Sequence, residues 1–320
     1  MISLELFLFF FSITILSISI AGYGSFLTTK KKSDFFLDIF FGYILISLII
    51  TSIHFFLKIN IFINILILFF GLIIFYKNKK NSLNFSNISK KKFFLNISII
   101  ILLMPMFLSH KYHEDFGYYH LPYALTFLEE KIVFGLGNLD ISYIYNSIWL
   151  NLYPLFFLEN KNFEYLTLPS FLLFLGFVLF SINKIYNKTQ FKVSDYYLSI
   201  MLFYFLLKFT RLSEFGVDFP ATIFLILSIF YFIKYYESNE ILNKKFFFYY
   251  NFVFSIFSIL IKLSAIPIII LPIYIYYSNF KNYKFYIFDH KFLIVYFLCI
   301  IFFIQQFIYT GCFLFPTNLT

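Results

Sequence analysis

The chain has 320 residues, is 61% hydrophobic and 13% charged, has a mean hydropathy of +0.83 and carries a formal net charge of +9. A soluble domain is nearer half apolar, and the weak alternating segments of about ten residues that mark a membrane barrel are absent. The composition therefore excludes both and points to an all-α, polytopic transmembrane helical bundle of about 8–10 spans.

The positive charge reflects topology rather than nucleic acid binding. Lysines cluster in the short stretches 28–34, 77–92, 184–194, 234–246 and 279–291, which the positive-inside rule assigns to the cytoplasm. Phe 54 and Tyr 27 stand beside abundant Lys and Asn and a single Arg. That is the pattern of an AT-rich coding sequence, so aromatic richness alone marks no binding site.

Apolar runs predict a first helix over 3–27. It has no basic segment before it and lysines after it, which reads as an uncleaved helix with its N-terminus outside. Further helices are expected over 35–57, 61–76 and 93–109, with a basic cytoplasmic loop before the last of these. A large outer loop, 110–165, follows. Within it Pro122 suits the first turn of a helix. Leu121, Leu125, Leu128 and Ile132 then share one face, and Gly135 and Gly137 end the segment. This predicts a short amphipathic helix lying on the membrane–water boundary. Tyr143, Tyr145, Trp149 and Tyr153 would form an interfacial aromatic belt.

Helices over 166–183, 195–209 and 218–234 come next. The stretch 246–277 lies between lysine-rich flanks and so crosses an even number of times, yet it is short for two spans. Two short helices meeting at a break near Lys262–Pro267 are expected, which puts Lys262 at membrane depth or nearer an interface. A last helix over 292–309 leads outside. The chain stops just beyond it, an arrangement expected of a bundle with further C-terminal helices. Cys299 and Cys312 would be roughly 20 Å apart on one helix, too far for a disulfide. The division expected is 1–92, the first three helices with the basic loop, and 93–320, the membrane core.

The titratable groups gather in the loop. His110, His113, Glu114, Asp115 and His120 fall within eleven residues. A carboxylate there can act as general base on an acceptor hydroxyl, or the two can be ordinary solvated acids. The histidines with Glu114 and Asp115 form a mixed nitrogen–oxygen set that suits a divalent ion. Their spacing matches no tight helical pair, so no cofactor is expected, and ordinary loop histidines, or one that contacts substrate, are the favoured reading. Arg211 stands alone among 24 lysines in the outer turn before Asp218. Its planar fork suits phosphate, and a snorkelling cation or a partner for Glu214 are the plainer readings.

The runs Asp115-Phe116-Gly117-Tyr118-Tyr119-His120-Leu121-Pro122, Gly135-Leu136-Gly137-Asn138-Leu139 and Asn146-Ser147-Ile148-Trp149 resemble a family of bacterial multi-span membrane proteins. That family is similar in layout to the GT-C class glycosyltransferases. Asp218-Phe219-Pro220, Lys262-Leu263-Ser264-Ala265 and Thr310-Gly311 add weaker matches. The resemblance covers about residues 93–320. It implies transfer of a sugar from a polyprenyl-phosphate donor to a cell-envelope glycan or lipid, on the outer face of the bacterial inner membrane.

Asp115 matches the position of the catalytic base, with Glu114 beside it. The expected substrate contacts are His113, Tyr118, Tyr119, His120, Asp218 and Lys262, together with Arg211, which has no firm counterpart in the family. The partners are membrane lipid, the lipid-linked sugar and its acceptor. One departure is that three helices precede the helix before the loop, where GT-C enzymes generally have one in all. A transporter or flippase for lipid-linked sugars, a polysaccharide polymerase of another fold and a noncatalytic envelope assembly protein are the alternatives.

Overall fold

The computed structural model describes residues 2–28, 34–79, 90–108, 115–144, 146–156, 167–186, 188–208, 216–283 and 286–313. Helices α1 (Ile2–Gly24), α2 (Phe35–His54), α3 (Ile61–Lys79) and α4 (Lys90–Leu108) come first. A π-helical turn, Phe116–His120, runs straight into α5 (Leu121–Glu129). The one-turn helices α6 (Leu136–Leu139) and α7 (Tyr153–Phe156) follow, with 3-10 turns at Ile141–Ile144 and Leu150–Leu152. Then come α8 (Leu168–Ile185), α9 (Val193–Leu207), α10 (Asp218–Glu237) and α11 (Ile241–Ile261). A 3-10 segment, Leu263–Ile269, leads into α12 (Ile270–Ser278) and α13 (Phe280–Tyr283). The 3-10 turn Tyr286–Phe288 precedes α14 (His290–Thr310).

The fold is all-helical, with no strand among the described residues. Six of these helices, α2, α3, α8, α10, α11 and α14, are long and apolar enough to cross a membrane, and four shorter apolar stretches accompany them.

The two ends of the bundle differ in chemistry. One, the lysine end, is closed by ion pairs. Lys184 meets Asp34 at 2.7 Å, Lys188 pairs with the fully buried Asp195, and Lys234 meets Glu237 at 3.2 Å. Acids also start helices here: Asp34 accepts the Phe36 N–H to cap α2, and Asp195 accepts the Lys192 N–H to cap α9. The opposite end carries residues 115–156 and is the loop end.

Helix α2 runs through the middle of the bundle. Phe40 sits edge-on to Phe180 of α8, Phe224 of α10 and Phe254 of α11. Phe41 stacks on Tyr249. On its other side α2 meets α1 at a backbone crossing. A Cβ on Gly24 would overlap the Asp38 carbonyl, and one on Gly42 the Ile20 carbonyl. Gly22 and Gly71 bring α1 equally close to α3. Small residues permit such approach where apolar packing rather than water drives association.

Two expectations about this architecture change. The stretch 246–277 is not a pair of short helices, because α11 begins at Ile241 and is a full 21-residue helix. Its return leg needs fewer residues than an α-helix would. Seven residues at the 3-10 rise and nine at the α rise span roughly 28 Å. The break lies where it was expected, at Lys262, but at the loop end of the bundle rather than at depth.

Trp149 and Tyr153 do not form an interfacial belt either, since both are fully buried. The run from Trp149 to Phe156 folds into the bundle, with the Trp149 ring 5.1 Å from that of Tyr43. Tyr143 is half-buried, and Tyr145 lies outside the described residues.

Candidate functional site

The loop-end site begins at Asp115. This residue is half-buried and precedes the π turn, and its Oδ2 accepts a hydrogen bond from the Tyr119 hydroxyl at 3.1 Å. Leu121 donates its N–H to the Phe116 carbonyl, five residues back, which defines the wide turn. Pro122 explains it, since Pro122 lacks the N–H that would bond four residues back and its ring crowds that carbonyl. Wide turns of this kind often mark functional positions. Pro122 lies in the first turn of α5, as expected, and the π turn extends the helical segment back from there. Gly117 and Tyr118 are left exposed.

His120 is buried, its ring 4.2 Å from that of Tyr119. A Cβ on Gly216 would stand 3.6 Å from His120 Cε1, so the turn before α10 packs on this ring. The Gly216 carbonyl accepts from the Tyr153 hydroxyl at 3.4 Å. Two residues on, Asp218 pairs with Lys262 at 2.5 Å, with side chains 74% and 42% exposed respectively. The Lys262 end of α11 is fastened to the loop. The Ser147 hydroxyl donates to the Ile261 carbonyl at 2.7 Å and the Ile148 N–H to that of Leu260 at 3.1 Å.

The structure thus brings Asp115, Tyr119 and His120 onto one helical segment. It pairs Asp218 with Lys262 and joins the two groups through Gly216 and residues 147–153. Tyr118 is beside them and is exposed. Glu114, His110, His113 and Arg211 lie outside the described residues. No group of three or more His, Cys, Asp or Glu able to hold a metal ion occurs among the described residues.

The face on which α5 lies differs from expectation. Tyr123, Ala124 and Phe127 are buried, while Leu121, Leu125 and Leu128 are half-buried. Phe127 stacks on His54 of α2 at 3.6 Å, and Tyr123 sits edge-on to Tyr309 of α14. Aromatic side chains with a polar tip can reach bonded groups inside the bundle where leucines cannot. Gly135 and Gly137 do not end α5, which stops at Glu129. Gly135 instead takes a left-handed conformation, φ 68°, before α6.

Behind α5 lies a polar cluster that the sequence did not reveal as a unit. Asn151 Nδ2 donates to Thr51 Oγ1 at 2.8 Å and to Gln305 Oε1 at 3.0 Å. Gln305 Nε2 donates to the hydroxyls of Tyr123 and Tyr309, each at 3.2 Å. The Tyr123 hydroxyl has Asn146 Oδ1 at 2.7 Å and Asn151 Oδ1 at 3.1 Å as acceptors. Burial, with Tyr309 alongside, pushes the Tyr123 phenol well above its usual range, so it stays a neutral donor. The one signal in the sequence was the polar pair Gln305-Gln306 inside an apolar run.

No curated protein and no solved structure matches the chain. The family model described as a domain of unknown function, DUF8201, matches residues 1–320. With the match running the length of the sequence, this loop-capped helical bundle belongs to the DUF8201 family.

Proposed function

We propose that the chain is a GT-C-like glycosyltransferase of the bacterial inner membrane. The lysine end faces the cytoplasm under the positive-inside rule, and the loop end faces outward. A polyprenyl-phosphate sugar enters sideways between helices. Asp115 takes the proton of an acceptor hydroxyl. That oxygen forms a bond to the anomeric carbon while the bond to the phosphate oxygen breaks, and the lipid phosphate leaves. A single displacement of this kind inverts the sugar carbon. Lys262, held at this end by Asp218, and Arg211 offset the charge developing on the phosphate. Tyr118, Tyr119, His113 and His120 contact the substrates, and Glu114 supports Asp115. The acceptor is a glycan or lipid of the cell envelope.

The observation that carries this reading is the half-buried Asp115 carboxylate, oriented by Tyr119 on the loop-end helix whose His120 adjoins the Gly216–Asp218 turn. A carrier of lipid-linked sugars would need ionisable groups along the spans. Among the described residues the buried ones, Asp38, Asp195, His54 and His120, sit toward the ends of the bundle.

The test compares surface glycans in a deletion strain rescued by wild type or by Asp115→Asn at matched expression. Loss of a defined glycan with the variant supports catalysis here. Full rescue removes Asp115 as the base and moves the weight to transport or assembly.

A further inference from the structure

The polar cluster behind α5 is made of neutral, largely buried side chains where the loop packs on the last turns of α2 and α14. Such groups are unfavourable there unless hydrogen-bonded. Helices in a membrane pack well through apolar contacts, and hydrogen bonds between them add only modest stability. What a bonded amide adds is direction, because it accepts and donates along fixed lines. Gln305 uses both ends of its amide. It is fully buried on α14, accepts from Asn151 and donates to Tyr123 and Tyr309.

Tyr123 is the link to the site. It stands eight residues after Asp115 on one continuous helical segment, so fixing its hydroxyl fixes how that segment is rotated. The far end is fixed separately. The Ile59 N–H donates to the Phe127 carbonyl at 2.7 Å, the Ile132 N–H to that of His54 at 3.0 Å, and the Gly135 N–H to that of Ile308 at 2.8 Å.

We infer that Gln305 is a positioning residue. Through Tyr123 it sets the orientation of the π turn and α5, and so aims Asp115. The inference rests on the reading of Asp115 as the reacting base.

The experiment uses the full chain in lipid nanodiscs, as wild type, Gln305→Leu and Tyr123→Phe. Tyr123→Phe removes one hydroxyl and guards against a Gln305→Leu protein that does not fold. Amide hydrogen exchange is followed over residues 115–129, and each variant is also scored in the glycan rescue assay beside Asp115→Asn. The expected result is exchange in 115–129 roughly tenfold faster, unchanged exchange in α10 and α11, and reduced glycan output in both variants.

Wild-type exchange over 115–129 in a folded variant overturns the inference, as does acceleration spread evenly over every helix. So does full glycan rescue by both variants where Asp115→Asn gives none. If exchange accelerates locally while Asp115→Asn rescues fully, the glycosyltransfer reading fails and the orienting role of Gln305 over α5 stands.

Discussion

The Tyr119 hydroxyl donates to Oδ2 of Asp115 across 3.1 Å, tying together two residues on adjacent turns of the segment that opens the loop-end site. A hydrogen bond to a charged acceptor contributes about 1.5–3 kcal/mol. Under the proposed mechanism Tyr119→Phe therefore lowers transfer roughly ten- to hundredfold, with the protein folded and inserted. Asp115→Asn costs more, about 10²–10⁴-fold. Quantifying the glycan made by each variant checks the order. A Tyr119→Phe strain indistinguishable from wild type removes that hydroxyl from the mechanism.

Ion pairs at the two ends should differ in weight. Asp218 and Lys262 are 74% and 42% exposed, so their pairing is worth less than about 1 kcal/mol. Asp195 is fully buried, pairs with Lys188 and caps α9. Asp195→Asn is expected to cost about 2 kcal/mol or more, while Asp218→Asn leaves thermal unfolding in detergent nearly unchanged. Equal shifts in the two midpoints would contradict this assignment.

The glycine crossing gives a steric prediction. A Cβ at Gly42 meets the Ile20 carbonyl, whereas one at Gly117 meets nothing within 4 Å. Gly42→Ala should destabilise by about 1–3 kcal/mol, and Gly117→Ala should not. The comparison is again thermal unfolding, and a stable Gly42→Ala protein would show that α1 and α2 do not approach so closely.

Orientation can be read with a membrane-impermeant maleimide. Leu139 is exposed at the loop end and Thr189 at the lysine end. With Cys299 and Cys312 replaced, Leu139→Cys should label in intact spheroplasts and Thr189→Cys only after permeabilisation. The reverse pattern inverts the proposed topology.

Local signals in the sequence were legible. The apolar runs located the long helices to within a few residues, and Pro267 with Lys262 marked the break after α11. The length of α11 was misread because Lys244 and Lys245 look like a loop, although a helix end accommodates them. The rotation of α5 was misread because four aliphatic residues outnumber Tyr123 and Phe127. Their placement depends on His54 and Tyr309, which no local pattern reveals. The cluster around Gln305 was hidden for the same reason, since its bonds join residues 154 and 182 positions apart. Within the site, Asp115 and its neighbours were legible as a group. The pairing of Asp218 with Lys262 was not, because it needs the α10–α11 hairpin to exist first.

Those long separations bear on biogenesis. Residue 151 leaves the ribosome on the order of 10 s before residue 305 at ordinary synthesis rates. Through that interval the nascent loop is already made, while its hydrogen-bonding partner on α14 does not yet exist. The order of translation thus makes locking of the loop a late step of assembly, one that waits until the helices preceding α14 have been made.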